Sequence, residues 1–288
     1  MDKYFDRQGG RYLRPEDGCP LSEWMNSPGN YCFANHPKGF KVFLPPEEIS
    51  LSDEYQEGDP YSVDKASAFH QRRFRCTIDL ASIAVNQCGK SFRFLDIGCG
   101  AGHLTEALRA EFPGGEASGL DYSVSAIVQA VEAYPQVDFV VGSAFSLPYC
   151  PGYFDLAICN NIWEHVPDPV RMLESIRRVL KPRGFLIIST PSRYRFENIL
   201  RLVQGKPVEF GSKLHVTEYS VGQVREQLQF GQFALHKCYS EPIRRRQSSI
   251  RKRLVYGIGF PLCRWFFSLY GRQHDLETTV FFLARKQN

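Results

Sequence analysis

The chain has 288 residues, of which 43% are hydrophobic and 23% are charged, and its formal net charge is only +4. This composition is ordinary for a globular protein with a sizeable core, and it excludes collagen-like and low-complexity chains. No segment has the uninterrupted apolar length of a membrane span, and the first residues lack the apolar stretch of a signal peptide. Nine cysteines, an odd number, suit reduced thiols. We therefore expect a cytoplasmic protein.

The N-terminal part of the chain, residues 1–61, is rich in proline and shows little sustained periodicity. We interpret it as an irregular arm and not as a domain. A helix is predicted over 62–88, where apolar residues recur at helical spacing. We assign residues 62–288 to one domain, which accounts for the length without a second large domain.

The segment 94–104 is predicted to be a buried strand, a glycine-rich turn and the start of a helix. Glycines at 98, 100 and 102 permit backbone conformations closed to other residues and let a ligand approach the main chain. Asp121 follows a second apolar run a little over twenty residues later, where a doubly wound fold places the carboxylate that accepts hydrogen bonds from ribose hydroxyls. The spacing differs from the G-x-G-x-x-G that binds a dinucleotide pyrophosphate, which disfavours a nicotinamide-dependent oxidoreductase.

Strands and helices alternate through the rest of the core, which is typical of a parallel sheet. The predicted elements are strand 92–97, helix 103–111, strand 116–121, helix 123–133, strand 137–141, strand 154–159, helix 169–180, strand 184–190 and a final strand near 278–284. The fold class is α/β.

The segment 242–271 is predicted to be an insertion before the final strand. It contains a cluster of arginines and one lysine between Glu241 and Leu254, followed by a helix with Leu262, Trp265, Phe266 and Leu269 on one face. A basic flank beside an aromatic amphipathic helix is typical of contact with an anionic membrane, here through 244–270. The alternative is a lid helix over the sheet or the substrate pocket, with solvated arginines. The two roles are compatible.

The turn sequence Asp96-Ile97-Gly98-Cys99-Gly100-Ala101-Gly102 resembles motif I of the class I S-adenosylmethionine-dependent methyltransferases. The resemblance continues, in the family's order, through 119–123, 153–156, 163–169, 180–184 and 189–191, and it is strongest to the ubiquinone-biosynthesis-like and type 11 group. Six ordered segments are far more specific than one glycine loop. The resemblance implies a Rossmann-like, doubly wound sheet of seven strands with the last strand antiparallel, and S-adenosylmethionine as the cofactor.

The resemblance also assigns cofactor contacts. It places the methionine part at the loop of Gly98, Cys99, Gly100 and Gly102, with Asp96 holding the loop and contacting the amino end. It places the ribose hydroxyls at Asp121 and the adenine beside Tyr122. Where the family usually has an acidic residue reading the adenine, this chain has Ser143, so Ala144 is expected to serve through its backbone. Asn160 ends the fourth predicted strand, facing the transferred methyl.

His165 is the candidate general base, because its unperturbed pKa lies near neutrality, and Glu164 would orient it or bind the acceptor. Glu–His pairs at this place often line the acceptor pocket in the family. The alternative is that both residues pack and cap the turn leading to Asp168. Arg195 and His215 are the further candidates for binding the acceptor.

Motifs that are absent from the sequence narrow the range of possible methyl acceptors. The chain lacks the Asn/Asp-Pro-Pro-aromatic motif and the Pro-Cys pair of base-methylating enzymes, so a nucleic acid substrate would rest on the arginine cluster alone. Cys19, Cys32 and His36 have no fourth metal ligand at a convincing spacing, and we expect no metal.

The sequence therefore predicts methyl transfer to an O, N or C nucleophile of a small-molecule, sugar or lipid-linked acceptor. The alternative is a catalytically silent methyltransferase-like protein that binds a membrane or a partner through its basic amphipathic helix. The acceptor, the methylated atom and the oligomeric state are not specified by the sequence.

Overall fold

The computed structural model describes residues 11–13, 34–52, 68–89, 91–240 and 254–288. One mixed sheet runs through the described chain, with helices on both faces. The strands are β1 (Ala34–Asn35), β2 (Lys41–Val42), β3 (Phe92–Ile97), β4 (Gly115–Asp121), β5 (Asp138–Val141), β6 (Phe154–Asn160), β7 (Leu180–Pro191), β8 (Phe233–Tyr239) and β9 (Thr279–Lys286). The helices are α1 (Pro46–Leu51), α2 (Ala68–Cys88), α3 (His103–Glu111), α4 (Val124–Ala133), α5 (Pro169–Val179), α6 (Phe196–Val203), α7 (Val221–Phe230) and α8 (Phe260–Ser268).

The strand order is β1-β2-β5-β4-β3-β6-β7-β9-β8. The five strands from β5 to β7 are parallel, and β9 lies antiparallel between β7 and β8. The α/β class and the antiparallel last strand are thus confirmed, but the described part of the chain forms a sheet of nine strands and not the expected seven, because β1 and β2 add to one edge. Chain order reverses direction at β3, so the carboxyl ends of β3 and β6 flank the point where open α/β sheets bind ligands.

The predicted core elements agree with the structure to within a few residues. The largest difference is β7, which begins at Leu180 and not at 184, because α5 ends at Val179 and the chain pairs with β6 at once. Between Phe154 and Leu156 of β6 the register shifts, and β7 takes up three extra residues there. Asp168 caps α5 by accepting a hydrogen bond from the Arg171 backbone N–H at 3.0 Å.

The sequence predicted an irregular N-terminal arm, but parts of the arm are regular. Its strands β1 and β2 extend the sheet, with β2 pairing parallel to β5, and Tyr12 forms a bridge with Tyr149. Tyr12 and Phe43 are buried in the core. These pairings join residues that are far apart in the sequence and produce no local periodicity. The sequence pattern therefore does not reveal them.

Two hydrophobic clusters fill the space between the sheet and its covering helices. Leu95 and Ile97 of β3 belong to one cluster, and Phe92 and Phe94 belong to the other, as the alternation of side chains along a strand requires. Every cysteine within the described ranges is free. None of the described helices combines the length and apolarity needed to cross a membrane.

The described part of the predicted insertion begins at residue 254. A π-helical turn, Val255–Gly259, leads directly into α8. Phe260 of α8 packs edge-on against Phe196 of α6, with ring centroids 5.1 Å apart, and Arg264 forms an ion pair with Glu277 at 2.6 Å. The arginine cluster and its flanks, 241–253, lie outside the described residues.

Candidate functional site

The glycine turn after β3 is held against the neighbouring strand. Gly98 and Cys99 donate backbone hydrogen bonds to the Leu120 carbonyl at 2.7 and 3.1 Å. Gly98, Gly100 and Gly102 have φ angles of 71°, 53° and 77°, the left-handed region that favours glycine. A Cβ at residue 98 would overlap the side chain of Ile162. The loop therefore passes directly beside the chain that leaves β6.

Asp121 ends β4 and holds this loop. Its carboxylate accepts hydrogen bonds from the backbone N–H of Gly100 at 2.7 Å and of Ser123 at 2.9 Å. The side chain is 6% exposed. The carboxylate is thus fixed at the position where the sequence predicts the ribose contact.

Asp96, at the end of β3, is fully enclosed. Burial raises the pKa of its carboxyl group from 3.8 to about 7, the nearby Asp121 adds to the shift, and the hydrogen bond from Thr105 opposes it. The Thr105 hydroxyl donates to the Asp96 carboxyl at 2.7 Å. This hydrogen bond ties β3 to α3, whereas the sequence predicted that Asp96 holds the loop.

The predicted adenine contacts lie at the ends of β4 and β5. The Tyr122 hydroxyl donates to Glu48 at 3.0 Å, which connects this edge of the sheet to α1 of the arm. Ser143 accepts a hydrogen bond from the Phe145 backbone N–H at 3.3 Å, so its hydroxyl oxygen already serves the local turn. Ala144 is half-buried against the core. Cys99 is buried, and burial raises the pKa of its thiol well above the ordinary value.

Asn160 ends β6 with an unsatisfied acceptor. Its amide nitrogen donates to the Thr77 hydroxyl of α2 at 2.7 Å, while its Oδ1 atom is buried and has no hydrogen-bond partner among the described residues. A buried acceptor without a donor is costly unless a ligand supplies one. S-adenosylmethionine carries an amino group and hydroxyl donors, so the loop, Asp121 and Asn160 together fit it.

A polar network continues from Asn161 into the turn after β6. Asn161 has a φ of 55°, and its Oδ1 accepts hydrogen bonds from Ser189 at 2.9 Å and from Arg73 of α2. Its amide nitrogen donates to Glu164 at 3.0 Å. Thr190 of β7 donates to the other Glu164 oxygen at 3.2 Å. The Glu164 carboxylate, 1% exposed, is therefore held rigidly.

His165 and His215 come together although fifty residues separate them. Their rings are nearly perpendicular, at 86°, with centroids 5.0 Å apart. His165 Nδ1 lies 3.0 Å from the Leu214 carbonyl, and His215 Nδ1 lies 2.9 Å from a Glu218 oxygen. Backbone N–H groups of Val216 and Thr217 donate to the Glu164 carbonyl and hold the two segments together. The Leu214 carbonyl thus orients the His165 ring, whereas the sequence predicted that Glu164 orients His165 or binds the acceptor.

Glu218 organises the segment around His215. Burial alone would raise the pKa of its carboxyl group, but hydrogen bonds from His215, the Gly211 backbone and Arg195 outweigh burial and hold that pKa below its ordinary value. Arg195 is 8% exposed, forms an ion pair with Glu218 and donates to the Glu209 carbonyl at 2.5 Å. Arg195 is therefore a supporting residue in this structure, which differs from its predicted contact with the acceptor.

Glu164, His165 and His215 form a cluster whose ligand-type atoms all lie within 4.8 Å of one another. The sequence predicted no metal and considered only Cys19, Cys32 and His36. The two cysteines lie outside the described residues, and His36 accepts a hydrogen bond from the Lys38 backbone. Sequence reasoning missed the cluster because only the fold brings His215 beside residues 164 and 165.

Residues of α2 were also missed as part of the site. Arg73 and Thr77 lie one helical turn apart and reach Asn161 and Asn160. Their spacing of four residues puts them on one helix face, which was the available signal. These contacts place the helix at the carboxyl end of β6.

Comparisons with known proteins show the family of the chain. The family described as "Methyltransferase domain" matches residues 89–240, just over half of the chain. A "Ubiquinone biosynthesis O-methyltransferase" of Thiobacillus denitrificans is 35% identical over 116 residues, which cover 38% of this chain and 49% of that protein. The protein of the same name from Nitrosomonas europaea is 32% identical over 139 residues, covering 43% and 58%. The chain spans about half the length of the curated relatives it matches.

Among solved structures, the [4+2]-cyclase SpnF is similar to this chain with a TM-score of 0.55 and 22% identity, covering 84% of this chain and 94% of that one. This likeness shows the fold alone. Since that protein is named a cyclase, the fold by itself does not specify the reaction.

Proposed function

The chain belongs to the class I S-adenosylmethionine-dependent methyltransferases, and we propose that it methylates a hydroxyl oxygen of a lipid-linked small molecule. The observation that carries the proposal is that Glu164 and His165 follow β6 in the turn that touches the glycine loop after β3, and that His215 joins them there from a distant segment. The curated relatives named as ubiquinone biosynthesis O-methyltransferases support oxygen as the acceptor atom.

The loop of Gly98 to Gly102, Asp121 and Asn160 would hold the cofactor. When bound, S-adenosylmethionine supplies an electrophilic methyl carbon on a sulfonium. The chain's own residues align the acceptor and accept its proton, since methyl transfer is an in-line displacement that depends on positioning. The buried Oδ1 atom of Asn160 would accept a hydrogen bond from a donor on the cofactor or on the acceptor.

The histidines define where the acceptor's proton goes. A carbonyl can only accept a hydrogen bond, so Nδ1 of His165 carries the proton that it donates to Leu214, and the lone pair of the neutral ring lies on Nε2. The His165 Nε2 atom would take the proton that the acceptor hydroxyl gives up when its oxygen is methylated, which would leave a protonated imidazole and a methylated oxygen.

A lipid-linked acceptor is supported by the exposed apolar surface of the C-terminal segment. Eight apolar side chains of this segment are between 37% and 68% exposed: Leu254, Val255, Ile258, Leu262, Trp265, Phe266, Leu269 and Tyr270. An apolar surface this dense next to a basic sequence fits an anionic membrane, at which lipid-linked molecules are concentrated. We propose peripheral attachment at the cytoplasmic face, with the inner side of α8 packed on Phe196.

The proposal is tested with acceptors that differ only in their nucleophile. Phenols, catechols and anilines with the same short prenyl tail are incubated with S-adenosylmethionine, and S-adenosylhomocysteine is measured. We expect turnover with hydroxyl acceptors and a 10²- to 10⁴-fold lower kcat for His165→Ala, the usual range for a lost general base. His236→Ala, which removes an exposed histidine of β8, should leave kcat unchanged. Methylation of the aniline alone would contradict the proposal.

The second candidate is a catalytically silent protein that uses the fold and α8 only for binding. The exposed apolar surface is the observation that favours it. Membrane binding together with tight S-adenosylhomocysteine binding, but no turnover on any acceptor, would support this reading.

A further inference from the structure

We propose that Glu164, His165 and His215 bind a divalent transition-metal ion of the zinc type. The site lies in the turn after β6 and takes one carboxylate oxygen and two imidazole nitrogens as ligands. The ion's role toward the acceptor rests on the proposed function, whereas its binding does not.

The distances within the cluster are close to those of a metal site. One ligand-type atom from each of the three residues lies within 4.8 Å of the other two. Zinc bonds of about 2.0–2.2 Å in tetrahedral geometry place neighbouring ligand atoms roughly 3.3–3.6 Å apart. The 4.8 Å limit exceeds this spacing by about 1.2–1.5 Å, so the three ligand atoms would draw together when an ion binds.

The surroundings of both histidines prepare them as ligands. His165 donates from Nδ1 to a backbone carbonyl, and His215 donates from Nδ1 to the Glu218 carboxylate. Metal-binding histidines almost always donate their other ring N–H to a carbonyl or a carboxylate, which fixes the ring and makes the ligand nitrogen more basic. Both imidazoles therefore carry the lone pair on Nε2, as metal binding requires.

Glu164 is oriented in the same manner. Hydrogen bonds from Asn161 and Thr190 hold one carboxylate oxygen each, at 3.0 and 3.2 Å. A carboxylate that is 1% exposed is costly without positive charge nearby. Arg73 of α2 supplies part of this charge, since its electrostatic interaction with Glu164 counters the burial that lowers the arginine's pKa. A divalent ion would supply the rest.

The ligand set determines which ion fits. Two imidazoles and one carboxylate suit zinc, cobalt, iron or manganese, whereas magnesium and calcium prefer oxygen ligands. Three protein ligands leave a fourth position open, as in catalytic zinc sites. With the ion bound, the His165 Nε2 lone pair would serve as a metal ligand, so its role as proton acceptor would hold only for the ion-free chain. An acceptor hydroxyl at the open position would then release its proton to solvent water more easily.

The test is calorimetric titration of chelator-treated, full-length protein with Zn²⁺ alone. We expect one ion per chain for the wild type and for the matched surface variant His236→Ala. The variants His165→Ala and His215→Ala should each weaken binding at least a hundredfold, and Glu218→Gln should weaken it about tenfold or more through its effect on His215. Equal binding by the wild type and both cluster variants, or no binding by the wild type, would overturn the proposal.

Cobalt provides a readout that does not depend on the stability of the variants. Co²⁺ added to the wild type should give visible absorption bands of a nitrogen- and oxygen-ligated ion, which Zn²⁺ abolishes. Bands of thiolate-to-cobalt charge transfer would assign the ion to cysteines and overturn the proposal.

The outcomes separate this inference from the proposed function. Zinc binding at the cluster without methyl transfer would leave the site standing and refute the function. Methyl transfer by protein that binds no ion would do the reverse.

Discussion

Asp96 combines complete burial with an ionisable group beside the cofactor loop. Because the pKa of its carboxyl group is raised from 3.8 to about 7, the folded chain keeps this proton between about pH 4 and pH 7 while the unfolded chain releases it. The contribution of Asp96 to stability is fully present below about pH 4 and is lost as the pH rises through about 7. The raised pKa corresponds to a free energy on the order of 4 kcal/mol.

We therefore predict that Asp96→Asn abolishes this part of the pH dependence. Its free energy of unfolding, from urea titrations of cofactor-free protein between about pH 4 and pH 8, should fall less with rising pH than that of the wild type. Asp168→Asn is the matched control, because asparagine caps α5 equally well, and it should retain the wild-type slope. Parallel slopes for Asp96→Asn and wild type would contradict the burial argument.

Gly98 carries two separate constraints, which its substitution by alanine can resolve. Gly98 and Gly152 have similar φ angles, 71° and 64°. A Cβ at Gly98 overlaps Ile162, whereas the nearest described atom to a Cβ at Gly152 is the Lys181 Cα at 4.0 Å. Gly152→Ala should cost about 1–2 kcal/mol for the left-handed backbone alone. Gly98→Ala should cost roughly 1–3 kcal/mol more, because of the overlap.

The extra cost should depend on Ile162. In a double-mutant cycle measured by urea denaturation, Ile162→Ala should relieve part of the Gly98→Ala penalty and give a coupling energy of about 1 kcal/mol or more. Equal penalties for the two glycine variants and zero coupling would show that the loop does not press on the segment after β6.

We expect α8 to be the helix that contacts the membrane. Trp265 and Phe266 are 63% and 51% exposed, and each aromatic side chain is worth about 1.5–3 kcal/mol when it leaves water. We predict that Trp265→Ser/Phe266→Ser lowers binding to anionic vesicles at least tenfold in a flotation assay. The matched control is Phe230→Ser at the end of α7, which removes a 75% exposed aromatic side chain from another surface. Unchanged binding by the α8 variant would refute this contact.

The helix α2 illustrates how an element can be predicted while its function is missed. Its apolar spacing predicted a helix, and the structure has Ala68–Cys88. What the helix does depends on Arg73 and Thr77 reaching two asparagines more than eighty residues away. Periodicity within one segment identifies which residues share a face but not what that face meets.

Local sequence patterns were sufficient to predict the strands of the central sheet, which holds the whole molecule together. The β3 to β7 strands and the helices between them alternate in sequence, and parallel strands buried on both faces read as continuous apolar runs. Strand β8 was not located, because it is an edge strand in which only Phe233 is buried. The short strands of the arm were missed for a related reason, since two residues have no period.

The candidate site likewise has a part that the sequence could predict and a part that it could not. The loop glycines, Asp121, Asn160, Glu164 and His165 follow strands directly, so their common position at one edge could be predicted. The sequence indicates His215 as a candidate for binding the acceptor. Its pairing with Glu218 and its position beside His165 depend on contacts between distant parts of the chain. Arg195 was assigned to the acceptor because the sequence does not show its buried ion pair with Glu218.

The central claim is that the edge of the sheet formed by β3, β4 and β6 binds S-adenosylmethionine and not a dinucleotide. The most direct test is calorimetric titration of the wild type and Asp121→Ala with S-adenosylmethionine, S-adenosylhomocysteine and NAD. We predict one sulfur nucleoside bound per chain, no binding of NAD, and affinity weakened at least tenfold by the substitution, because one charge-assisted ribose contact and the anchor of Gly100 are lost together. Binding of NAD with equal affinity, or no binding of either sulfur nucleoside, would contradict the account.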